Sequence, residues 1–417
     1  MVGDALATVD PRHLGGRLQQ ARKAARVRQQ EVADQLGVAR TTIVAIEKGE
    51  RRVRPAELVQ FAALYKRPVG EFLRTAAPEP SFAVQLRATI APDEPVDEML
   101  ESVTSEFQSL CEDYVELERI CKAPMPRHYP PERPTGGTAL DRAAEDLAVG
   151  ERARLGLGDG PIPNLRDLLE HEVGLRIFYV DMPSDASGMF YFSDALGGCI
   201  AVNRKHREER RRNSLAHEYL HFLTSRYQFE VAIANRYQRR PTHERLANAF
   251  APAFLMPRAG LSRRFHETKR SRGDFTVADL CTLAAYYVVS VESLTRRLEQ
   301  LRLVPSGTWD KVRDAGLKVD EARALLKLTA PLTSDDLLPS RYVFLAVSAY
   351  RDARLSEEQF TRFLRVDRLE ARRIAAAVLG EDAQSREPSR ADRPLADGSA
   401  GDLDAGTHRP EAGGAPA

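Results

Sequence analysis

Residues 213–223 read NSLAHEYLHFL, and three of these side chains have types and spacing suited to chemistry. His217 and His221 are four residues apart, so on a helix they project from one face. Two imidazoles at that spacing can both reach one Zn2+ at about 2.0–2.1 Å. Glu218 follows the first of them, where a carboxylate can take a proton from a water activated by the metal. Leu215, Ala216, Leu220 and Leu223 form the core side of the same helix. The pattern HExxHxxGxxH, with a glycine three and a third ligand histidine six residues beyond the second histidine, is excluded, because Phe222, Leu223, Thr224, Ser225, Arg226 and Tyr227 follow His221. Glu244 is the best candidate from elsewhere. It opens ERLANAFAPAFLMP, whose Ala247, Phe250, Ala251, Phe254 and Leu255 make one apolar face, and the small alanines let that helix approach closely. His243 and Glu230 are weaker candidates. Four residues stay open as the group that stabilises an oxyanion: Tyr191, Tyr219, Tyr227 and His206. Cys199 and Cys281 read as small buried apolar residues.

A second constellation lies near the N-terminus, in RQQEVADQLGVARTTIVAIEKG. Val32, Ala33 and Leu36 share a face, Gly37 supplies a left-handed turn residue, and Ile43 and Ile46 line a second helix. That is helix-turn-helix geometry. Arg40, Thr41, Thr42 and Ala45 then point outward from the second helix toward a major groove, where arginine can pair with guanine. Gln29 and Lys48 are placed to meet phosphates. Residues 11–75 hold fourteen Lys and Arg against six acids, a net +8 in a chain whose total is +1. Affinity for duplex DNA is therefore expected to be local to this region.

The elements that must position these groups follow from punctuation and periodicity. Residues 11–75 read as five short helices. Pro-rich 76–96 reads as a linker with a short strand at 83–90, and it is exposed enough to be a self-cleavage site. Met99, Val103, Phe107, Leu110, Tyr114, Leu117 and Cys121 form a stripe of helical period, either packed on a neighbouring domain or pairing two copies into a homodimer. Strands are expected at 175–180, 188–192 and 198–202, the last two as a hairpin, with helices to about 304. Residues 308–382 are helical again. Within them 355–377 reads as a plain bundle or a second helix-turn-helix, with Phe360, Phe363 and Leu364 on a first face, Val366 at a turn, and Leu369 and Ile374 on a second helix. The Arg207–Arg212 run, REERRR, is a solvated face or a guide for an acidic substrate. The tail from 383 has no aromatic residue and is too poor in apolar surface to order itself.

The fold class expected is mainly α with a small β-sheet (α+β), with these divisions: 11–75 DNA-binding; 76–137 linker and long helix; 138–305 metal-binding; 306–382 helical; 383–417 disordered. Four scattered cysteines without a CxxC argue against a disulfide framework or a cysteine-bound metal. No apolar run approaches a membrane span and no signal-peptide core is evident, so a cytoplasmic protein without a membrane partner is expected.

Residues 11–75, with Ile46-Glu47-Lys48-Gly49, resemble the XRE (Cro/C1-type) helix-turn-helix family. His217-Glu218-x-x-His221, Glu244-x-x-Ala247-Asn248-x-Phe250-Ala251, Leu255-Met256-Pro257 and the hairpin ending Ile200-Ala201-Val202-Asn203 resemble the ImmA/IrrE metallopeptidase family over about 138–305. That resemblance implies a zincin-like (gluzincin-like) fold, with Zn2+ held by His217, His221 and Glu244 and with Glu218 as base. It also implies cleavage of a repressor-type protein under stress or prophage signals, the substrate adding as a strand; the hairpin 188–202 is the edge expected to receive it. Two rival readings remain: a transcription factor with a non-cleaving sensor domain, and a toxin–antitoxin or phage-defence regulator.

Overall fold

The computed structural model describes residues 9–25, 27–65, 67, 69–73, 82, 98–133, 139–227, 230–233, 242–328 and 336–380. The linker expected at 76–96, with its short strand and cleavage site, lies outside them apart from Phe82. So does the tail from 383. The protein is mainly helical with one small sheet, in two units, 1–365 and 366–417.

Among the described residues, five helices come first: α1 (Pro11–Ala24), α2 (Gln29–Leu36), α3 (Arg40–Glu47), α4 (Pro55–Leu64) and α5 (Val69–Phe72). They close around their own core, which includes Leu18, Val32, Ile43, Leu58 and Phe61. Gly37 ends α2 at φ 66°, in the left-handed region that the tight turn into α3 requires.

The striped segment is one helix, α6 (Glu98–Cys121). Phe107, Leu110, Tyr114 and Leu117 are fully buried within the chain, and Phe107 and Tyr114 meet Phe178 edge-on. The stripe is thus spent on the chain's own sheet, which removes the reason for a coiled coil. Helices α7 (Leu140–Arg154) and α8 (Leu165–Leu168) follow, and a π-turn at Leu169–Val173 carries the fully buried Glu170.

The sheet contains β1 (Arg176–Val180), β2 (Ala186–Ser193), β3 (Gly197–Asn203) and β4 (Glu230–Ile233), in the order β1-β3-β2-β4. β1 runs parallel to β3, and β2 is antiparallel to both β3 and β4. The hairpin expected at 188–202 is present, but it is not an edge. β3 is flanked by β1 and β2, while β2 is flanked by β3 and β4, so the outer positions belong to β1 and β4. Both faces of β1–β3 are covered, which is why these strands read as nearly continuous apolar runs. Ile177, Phe190, Ile200 and Val202 join the main core, while Phe178 faces α6.

That core packs on α9 (Glu208–Thr224) and α10 (Thr242–Leu255), followed by α11 (Arg258–Arg272), α12 (Val277–Tyr287) and α13 (Val291–Gln300). Ala247 and Ala251 of α10 and Ala144 and Ala148 of α7 are buried, and small side chains permit close helix approach. Then come α14 (Thr308–Asp314), α15 (Val319–Leu325), α16 (Ser340–Arg351) and α17 (Glu357–Leu364), and, in the second unit, α18 (Arg368–Leu379). Leu369 lies on this helix as expected and is 71% exposed; Ala371 and Ala375 are its buried positions. No single described helix is long and apolar enough to cross a membrane.

Candidate metal centre and nucleic-acid face

The HExxH segment lies wholly within α9. His217 and His221 turn their Nε2 atoms toward one point, 3.1 Å apart. α10 brings Glu244 to the same point, with Oε2 3.5 Å from His217 Nε2 and Oε1 3.3 Å from His221 Nε2. Burial by itself would raise the Glu244 pKa, but hydrogen bonding and charge from the two imidazoles outweigh it and hold the carboxyl well below the usual carboxylate range. Each residue offers one ligand atom, and the three lie within 4.8 Å of one another. Ligands of a tetrahedral Zn2+ at 2.0–2.1 Å lie about 3.3 Å apart, close to the three separations here. Two imidazoles and a carboxylate converging at that spacing therefore fit zinc, with a fourth position for water or substrate.

Glu218 is fully buried on the same helix. It stands against β2, where Gly188 has no side chain to displace it; a Cβ there would lie 2.6 Å from Glu218 Oε1. Sequence reasoning missed Gly188. The available signal was a glycine inside an apolar strand, which often marks a close approach.

The other candidates divide. The His243 ring stands 5.9 Å from that of His221, beside the cluster. Only the backbone of Glu230 is described; it pairs with Phe190 at the end of β4. Tyr219, two residues from each histidine, faces the other way: its hydroxyl donates to Glu151 of α7 and accepts from Arg154. Tyr191 stacks on Phe82, the Tyr227 ring is 71% exposed against Phe192, and His206 Nε2 lies 3.2 Å from the Ser184 carbonyl oxygen. Cys199 and Cys281 are buried thiols, as expected. The REERRR run is solvated only in part: Arg207 and Arg210 are exposed. Arg207 pairs with Asp320 and Glu209 with Arg323, while Arg211 and Arg212 are buried and donate to backbone carbonyls.

In the N-terminal domain Arg40, Thr41 and Lys48 are exposed and Thr42 and Ala45 half-buried along α3. Gln29 is placed differently from a free phosphate ligand: its amide donates to Glu47 Oε2 at 2.8 Å. The buried Glu47 also takes Arg22 Nε at 2.5 Å and Nη2 at 3.0 Å, so this acid of the Ile46-Glu47-Lys48-Gly49 signature ties α1, α2 and α3 together.

Residues 170–299 match the IrrE N-terminal-like domain, a peptidase family, and residues 13–74 match a helix-turn-helix domain. The chain joins a helix-turn-helix domain to an IrrE-type domain. Its combination of a DNA-binding fold with a metallopeptidase-like domain is that of a regulator. The IrrE-like match starts in the π-turn, so α7, which supplies the Glu151 bonded to Tyr219, precedes it. A search of curated proteins finds no match to the chain.

Proposed function

We propose that the protein is a DNA-binding transcriptional regulator whose IrrE-like domain is a zinc endopeptidase that cuts a repressor-type protein in a stress or mobile-element response. The observation that carries this reading is the convergence of His217, His221 and Glu244 beside a buried Glu218. His217, His221 and Glu244 would hold the metal. A bound Zn2+ supplies Lewis-acid polarisation of a carbonyl and lowers the pKa of water. Glu218 takes the proton of the attacking water and passes it to the leaving amine. The outer strand next to β2 is β4, and an extended substrate segment would add there by backbone pairing. Arg40, Thr41, Thr42 and Ala45 would read the major groove, and Lys48 and Gln29 would meet phosphates, Gln29 with the amide hydrogen that Glu47 does not take. A DNA partner supports a cytoplasmic location. The functional divisions are 11–75, 76–137, 138–305, 306–382 and 383–417.

The test is capture with zinc-loaded Glu218→Gln chain, which binds substrate without turnover. A captured regulator that wild-type chain cuts at a defined bond is the expected result. Captured proteins that wild-type chain never cuts would overturn the reading in favour of a non-cleaving sensor.

A further inference from the structure

β2 carries an irregularity where it passes Glu218. Ala186 pairs with Ile233 of β4 and Gly188 with Ala232, so two steps on β2 oppose one on β4 and Ser187 is the extra residue. Asn203, fully buried at the end of β3, anchors the approach by donating from Nδ2 to the carbonyls of Pro183 at 2.9 Å and Ala186 at 2.8 Å. Bulges re-aim a strand locally and are enriched beside active sites. Gly188 comes directly after the bulge. Its φ lies outside the left-handed region, so the backbone there would accept any residue. Space is the constraint: a Cβ would meet Glu218 Oε1 at 2.6 Å, Cγ at 2.9 Å and Cδ at 3.0 Å.

We infer that the Ser187 bulge and Gly188 form a cradle that sets the position of the Glu218 carboxylate, making Gly188 a positioning residue for proton transfer. The inference rests on Glu218 being the base, and it has a readout that does not. Alanine normally stabilises a strand relative to glycine, so a steric cradle reverses the expected sign. Gly188→Ala should lower the thermal midpoint of the full chain, and the loss should vanish or reverse when Glu218 is also changed to Ala. In zinc-loaded full chain Gly188→Ala should keep the metal and leave KM within about threefold, while kcat falls roughly 10–100-fold, the scale of an ångström-level misplacement. Equal midpoint shifts with and without Glu218 would overturn the cradle. An unchanged kcat in an active enzyme would overturn the positioning role. A wild-type chain without peptidase activity would overturn the proposed function and the positioning role together, while the midpoint comparison would still decide the cradle.

Discussion

Glu218 and Glu244 carry the same functional group and are assigned opposite duties, so conservative substitutions separate them. Glu218→Gln should keep near-stoichiometric zinc and the fold, because the amide is isosteric, while peptide cleavage falls by orders of magnitude because it cannot accept the water's proton. His221→Ala and Glu244→Ala should lose both metal and cleavage, since affinity depends on ligand count; metal content by mass spectrometry and a cleavage gel read the two. A different carboxylate governs stability against pH. Burial pushes the Glu170 pKa from 4.5 to about 8, against the lowering influence of Arg166 and the Ile177 N–H. The native state therefore keeps a proton that the unfolded chain releases. The contribution is complete below about pH 4.5 and is lost as pH rises toward about 8. Thermal midpoints measured over that range should fall for wild type relative to Glu170→Gln, and parallel curves would contradict the assignment.

At the scale of elements, α6 and β1 are joined by more than aromatic packing. Arg176 of β1, only 1% exposed, donates to Glu118 of α6 at 2.7 Å, and Arg341 of α16 reaches the other oxygen at 3.1 Å. Removing one partner of a buried pair leaves an uncompensated charge, so Glu118→Ala should destabilise the protein by about 3–5 kcal/mol in a denaturant titration. α3 offers a contrast in kind. Arg40→Ala should cost about 1–3 kcal/mol on a specific site and little on random duplex, whereas Lys48→Ala should weaken both alike. Equal losses from the two changes on both DNAs would contradict the groove assignment of α3.

Across the whole molecule, the DNA-binding domain and the IrrE-like domain belong to one unit, and Arg17 of α1 is tied to Glu112 of α6 at 3.0 Å. Each has its own hydrophobic core, however, so the candidate metal site and the proposed reading face draw on separate packing. Duplex binding by the full chain should therefore survive Glu218→Gln, His221→Ala and Glu244→Ala, with anisotropy titrations overlaying wild type. A shared loss of DNA affinity with metal would show that the two cores are coupled.

Much of this was legible in the chain because the decisive patterns are local. Histidines four apart on a helix share a face whatever surrounds them, and Gly37 between two apolar helices permits few arrangements. Short apolar runs and the turn residues between them likewise marked the 188–202 hairpin, helical periodicity and Gly37 marked the N-terminal helices, and the small alanines of α10 pointed to close approach beside Glu244. Tertiary structure decided what depends on partners distant in sequence. The hairpin lost its edge because β1 and β4 flank it, which no property of residues 188–202 encodes. Helix geometry alone turned Tyr219 away from the histidines, but its partner Glu151, sixty-eight residues earlier, was supplied by the fold, as were the backbone carbonyls that take the buried Arg211 and Arg212. Gly188 became meaningful only when a helix placed Glu218 within van der Waals reach of a strand, since the need for empty space is a property of the pair and of neither residue alone.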